Sequence, residues 1–156
     1  MVFKSPKQEE IFNKVIGYLK EIFGEVNLTF KDKYIYGIKG TTSWVIEAVP
    51  VNEEDLWIIV EDWVTVETPI RGELLRWLLD KQKYFWLGKF YIEPTKNDPF
   101  KCNIFLAHVM LGSTLDKKEL MLAVDFISSL ADKYDEEITR NFGGLTFKEW
   151  VLQKEK

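Results

Sequence analysis

The residues that could do chemistry are few, and their spacing does not suit it. His108 is the sole histidine and Cys102 the sole cysteine. Both fall in the apolar run Phe100 to Leu111, at the same parity. Six residues of extended chain hold them about 20 Å apart. A thiolate–imidazole nucleophile pair is therefore excluded within that strand, and two such ligands are too few for a structural zinc site. A lone histidine alternating with Ile104, Leu106 and Met110 is expected to be structural. Carboxylates cluster at Glu53-Glu54-Asp55, at Glu61-Asp62 and at Asp132, Asp135, Glu136 and Glu137. The first two clusters lack the spacing and glycine of a calcium loop. In the third, Asp132 and Glu136 share a helix face and could hold a divalent ion weakly; a solvated face accounts for them as well. The sequence has no Gly-x-Gly-x-x-Gly, no P-loop and no Gly-x-Ser-x-Gly. Gly143-Gly144 ends a helix, where exposed carbonyls have the wrong polarity for phosphate. No catalytic residue, metal or cofactor is expected. The chain reads as a binder, not an enzyme.

Composition agrees. At 156 residues the chain fits one domain, and such a domain buries roughly 68–70% of its unfolded surface without staples. A 46% hydrophobic content excludes intrinsic disorder. Six tryptophans and eleven phenylalanines exceed what one small core needs, which points to aromatic surface. The net charge of −4, with no basic run, makes nucleic acid an unexpected partner. One cysteine precludes an internal disulfide, and a reducing cytoplasm is the expected setting. No signal peptide is expected in MVFKSPKQEE. No run approaches the ~20 apolar residues that span a membrane.

The elements follow from period and punctuation. Ser5-Pro6-Lys7-Gln8 starts a helix. Ile11, Phe12, Val15, Ile16, Leu19, Ile22 and Phe23 give it one apolar face, and Gly24 ends it. From Val26 the period is two. Strands are expected over Val26 to Phe30, Tyr34 to Ile38, Thr42 to Val51 and Leu56 to Val66, with a tight turn at Gly40-Thr41. Ile70 to Lys83 is a helix, expected to be largely buried because Leu74, Leu75, Trp77, Leu78 and Leu79 are so closely spaced. Tyr84 to Glu93, containing Gly88, and Phe100 to Leu111 are paired strands. Asp116 with Glu119 caps a last helix that Gly143-Gly144 stops. The fold class is α+β, an antiparallel sheet with helices packed on it, in the order α-β-β-β-β-α-β-β-α. Residues 1–144 form the single domain, and 145–156 a short tail, docked or loose, carrying Phe147 and Trp150.

The fourth strand is apolar on both faces. Leu56, Ile58, Val60, Val64 and Val66 share one face with Asp62; Trp57, Ile59 and Trp63 share the other with Glu61, Thr65 and Glu67. Such a strand is either covered on both sides or covered once and open to a partner. Trp44 belongs to one of these faces. The glutamates make the tryptophan face a better rim than a core. Trp57, Ile59 and Trp63 are the candidate peptide-binding residues.

Two stretches, Leu74 to Phe90 (LLRWLLDKQKYFWLGKF) and Ala131 to Gly144 (ADKYDEEITRNFGG), bring the chain close to a known family. Leu87, Gly88 and Phe90 match its Phe/Leu-Gly-x-Phe element. Ala131, Asp132, Tyr134, Asp135, Phe142, Gly143 and Gly144 match its closing helix. The chain thus resembles the YbjN-like proteins, which belong with the type III secretion chaperones in one α+β fold group. It departs at Gln82, where the family has Asn. The resemblance implies a small acidic, non-catalytic, often dimeric protein that binds other polypeptides. The expected function is a chaperone-like or regulatory polypeptide-binding module that holds a protein or peptide client and forms a homodimer. The alternative is a small-molecule carrier or sensor with an apolar helix–sheet pocket.

Overall fold

A computed structural model describes residues 3–154; residues 1, 2, 155 and 156, the extreme ends of the N-terminal stretch and of the tail, lie outside it. Helix α1 (Pro6–Phe23) begins where Pro6 fixes φ and the Ser5 hydroxyl accepts the Gln8 amide at 3.3 Å. Gly24, at φ +77°, closes it through its own N–H to the Lys20 carbonyl. A 3₁₀ turn over Glu25–Asn27 occupies ground where a strand was expected, and the strand β1 (Thr29–Lys31) is only three residues long. Val26 consequently stands in solvent.

Strands β2 (Tyr34–Lys39), β3 (Thr42–Pro50) and β4 (Leu56–Pro69) follow as antiparallel neighbours. Helix α2 (Gly72–Gln82) precedes β5 (Lys89–Pro94) and β6 (Lys101–Leu111), and α3 (Lys117–Phe142) is the long helix. The order across the sheet is β1-β2-β3-β4-β6-β5, all antiparallel, leaving β1 and β5 as edges. This is the expected α+β architecture.

The tail extends it. Leu145–Thr146 (β7) pairs with Thr65 and Val66 of β4, and Phe147–Lys154 forms a short helix, α4. The expected strand at Tyr84 to Glu93 starts only at Lys89, because Gly88, at φ +72°, turns the chain into it. A Cβ there would lie 2.4 Å from Ile127 Cδ1 and 3.0 Å from the Ala107 carbonyl oxygen, so any larger residue would also have to displace the Ile127 side chain.

The core lies between one face of the sheet and helices α1, α2 and α3. Leu56, Ile58 and Val60 of β4, Ile46 of β3 and Leu106 of β6 meet Val15 and Leu19 of α1 and Leu120 and Ile127 of α3 there. Trp44 joins this covered face, buried 5.1 Å from the Phe23 ring. Helix α2 is less buried than its leucine count suggests. Leu74 and Leu78 are covered, whereas Leu75 and Leu79 are open, because α2 sits over the margin of the sheet beside β5.

Asp116 caps α3, its carboxylate accepting the Glu119 amide at 2.8 Å. Asp116→Ala is expected to cost about 1 kcal/mol, the usual value of such a cap. In a chain of this size that is a fall of roughly 2–4 °C in thermal midpoint. An unchanged melting curve would show that the cap is redundant.

Candidate functional site

The pleat decides which side chains can meet a partner. Glu61 pairs with Ala107, Ile59 with Val109 and Trp57 with Leu111 across β4 and β6; Val45 pairs with Glu61 and Val49 with Trp57 across β3 and β4. Tyr36 and Tyr34 of β2 continue the row opposite Val45 and Glu47. At the far side Tyr91 of β5 lies opposite Phe105. These residues form the sheet face away from α1 and α3. Among the described residues the only helix on it is α4, which packs at one end.

The three predicted contact residues share this face but differ in cover. Trp57 is 41% exposed and Ile59 half-buried. Trp63 is also half-buried: Phe105 meets its ring edge-on at 4.5 Å, Phe147 approaches to 5.8 Å, and Trp150 stacks on it at 6.3 Å and 15°. The tail helix thus covers the third residue and leaves the first open. Val109, 45% exposed and diagonal to Trp57, extends the open end. Thr65 and Glu67, expected beside the tryptophans, depart from them. The β4–β6 register slips between Trp63 and Thr65 and again before Thr68. Thr65 turns inward and bonds to the Thr68 hydroxyl at 2.7 Å, and Glu67 takes φ +55°.

The middle of the face is polar and internally satisfied. Ala107 is small enough for Tyr91 to reach over it and donate its hydroxyl to the Glu61 carboxylate. Burial raises the Glu61 carboxyl above its usual range, the Tyr91 hydroxyl opposes this, and Glu93 and Glu47 add to it. Burial and the Glu61 carboxylate likewise push the Tyr91 hydroxyl up. Lys33 pairs with Glu47. The face therefore has an apolar end at Trp57 and an acidic centre.

The other reactive groups are engaged in packing. Burial lowers the His108 imidazole, with Glu119 opposing, and its Nδ1 accepts the Gly88 amide at 3.3 Å. The Cys102 thiol is buried, pushed up to about 11, and lies 3.5 Å from the Thr68 carbonyl. Asp132 accepts both the Thr41 amide at 2.8 Å and its hydroxyl at 3.0 Å, pinning the β2–β3 turn to α3. Glu136 faces Arg140 at 3.9 Å. Among the described residues no three His, Cys, Asp or Glu side chains gather as a metal site. Gln82 has a role of its own despite departing from the family's Asn: its amide oxygen accepts the Phe90 N–H at 2.8 Å.

Residues on strands other than β4 were missed from the site. The parity of Phe105, Ala107, Val109 and Leu111, opposite to that of Ile104, Leu106 and Met110, was the available signal.

No protein-family model matches the chain. Over 106 residues, 68% of its length, it is 29% identical to an uncharacterized protein of Aquifex aeolicus (strain VF5). The match covers 42% of that relative, so the chain spans less than half the relative's length. No helix among the described residues is long and apolar enough to cross a membrane.

Proposed function

We propose that the chain is a non-catalytic polypeptide-binding module, chaperone-like or regulatory, that works in the cytoplasm and holds client segments on the open face of its sheet. One observation carries this reading. The chain's own tail already docks there, laying Phe147 and Trp150 of an eight-residue helix on Trp63, while Trp57 further along β4 stays uncovered. A client with aromatic or aliphatic residues at i and i+3 would use the remaining apolar end as α4 uses the covered one. The YbjN-like resemblance points the same way.

The test is binding of a labelled, reduced and carboxymethylated unfolded polypeptide, followed by anisotropy. Trp57→Glu places a charge on an exposed position of the face. It is expected to weaken binding about tenfold or more while leaving the melting temperature nearly unchanged. Equal affinity in both proteins would sink the assignment.

A small-molecule carrier remains the second reading. A groove of about 730 Å³ runs between the end of α1, β2 and α4, bounded by Phe23, Trp44, Phe147 and Val151. A ligand co-purifying in native mass spectra would favour it.

A further inference from the structure

Helix α4 is held to the molecule differently from the other three. Helices α1, α2 and α3 each put residues into the core, whereas no residue of α4 is buried. Leu152 is 52% exposed. Among the described residues, no side-chain hydrogen bond or ion pair joins residues 145–154 to the rest of the chain; the polar groups of the tail serve one another. Thr146 donates its amide and its hydroxyl to Glu149 Oε2 at 2.8 and 3.1 Å, and the Glu149 amide donates back to the Thr146 hydroxyl at 3.2 Å. The hold on the sheet is Phe147 and Trp150 against Trp63, together with the two residues of β7. On the other flank of α4, Phe147 and Val151 border the open groove of about 730 Å³ and forfeit contacts there.

The tail is also built to come away. Consecutive glycines, Gly143 at φ +87° and Gly144 at φ +91°, join it to α3. A helix of eight residues does not keep its shape in water by itself. Off the sheet, α4 unwinds, so docking and folding of the tail are one event. What the tail covers is half of the client face. Trp57 and Trp63 stand six residues apart on β4, about 20 Å. An extended segment of about seven residues spans both, and it reaches Trp63 only in the place where Trp150 now stacks. Strand β7 likewise takes the main-chain edge at Thr65 and Val66 that an incoming strand would use.

We propose that the tail is a tethered competitor: β7 and α4 leave the β4 edge and Trp63 when a client binds, and while docked they hold the affinity for clients down. This rests on the client-binding function proposed for the open face and adds its regulation. The free energy that docks the tail is subtracted from client binding. The apparent affinity is the intrinsic affinity multiplied by the undocked fraction, so a tail docked in about nine molecules of ten weakens binding about tenfold.

Two measurements on the full chain test it, both with the carboxymethylated unfolded polypeptide as probe. In the parent, amide hydrogen exchange of α4 is expected to speed up at saturating polypeptide while α3 keeps its protection. Phe147→Ser with Trp150→Ser cuts the hold of the tail without altering β4, and this pair is expected to bind the polypeptide about tenfold more tightly. An α4 as protected at saturation as in the free protein overturns the proposal, and so does a double variant that binds no more tightly than the parent. Should the double variant not fold, exchange in the parent decides alone. Failure of the client assignment reads differently: Trp57→Glu then leaves binding unchanged, whatever the tail does. A chain that takes up no polypeptide with its tail docked or released overturns both.

Discussion

Gly37→Ala is expected to destabilise the protein by about 3 kcal/mol, toward the upper end of what overpacking one buried methyl costs. Gly37 sits directly opposite Trp44 on the neighbouring strand. The indole lies across the glycine, so that an added Cβ would fall 2.0 Å from its Cζ2 atom. Phe23 of α1 packs against it at a tilt of 42°, and it is buried under the helices. Removing the ring should remove the penalty: in a Trp44→Leu background, Gly37→Ala is expected to cost well under half as much. Urea unfolding of the four proteins gives the coupling. Equal costs in both backgrounds would show that backbone effects, not the indole, set the loss.

The second large effect concerns a carboxyl in the core. Asp62 is 0% exposed on the covered face. Its Oδ2 accepts the Thr42 hydroxyl at 3.2 Å, and its Oδ1 has no hydrogen-bond partner among the described residues. Burial holds the carboxyl well above its ordinary range; Thr42 opposes this, while Asp135 and Asp132 add to it. The sign follows. A carboxyl that holds its proton more tightly folded than unfolded makes the folded state lose stability as pH rises, from the unfolded value near 4 up to the raised folded one. Asp135, also raised by burial, acts in the same direction. Asp62→Asn removes the cost of ionisation. It is expected to stabilise the protein at pH 8 by on the order of 1–3 kcal/mol, with little effect near pH 4. A variant less stable at every pH would mean that Asp62 makes an ionic contact the fold requires.

The two-faced pattern of β4 could be read from the sequence because alternation is regular from Leu56 to Trp63, and it placed Trp57, Ile59 and Trp63 on one side. It failed at Thr65 and Glu67 because a bulge shifts the parity there without any glycine to mark it; Glu67 itself takes the left-handed conformation. The leucines of α2 misled for another reason. Leu75 and Leu79 have core character, but the sheet ends at β5, and spacing alone cannot say where a sheet stops. Helix α4 has eight residues, too short for a period to establish itself, and it forms against Trp63 through packing. The cover over Trp63 was hidden in the sequence for that reason, although Phe147 and Trp150 were visible as the aromatics of the tail.

The most direct measurement is side-chain footprinting with a photogenerated carbene, run with and without a saturating unfolded polypeptide. Trp57 and Val109 on the open face, and Met121 and Leu122 on the outer side of α3, are comparably exposed in the free protein. The account predicts that labelling of Trp57 and Val109 falls on binding while Met121 and Leu122 keep theirs. Protection confined to α3, or absent from the sheet, would contradict it.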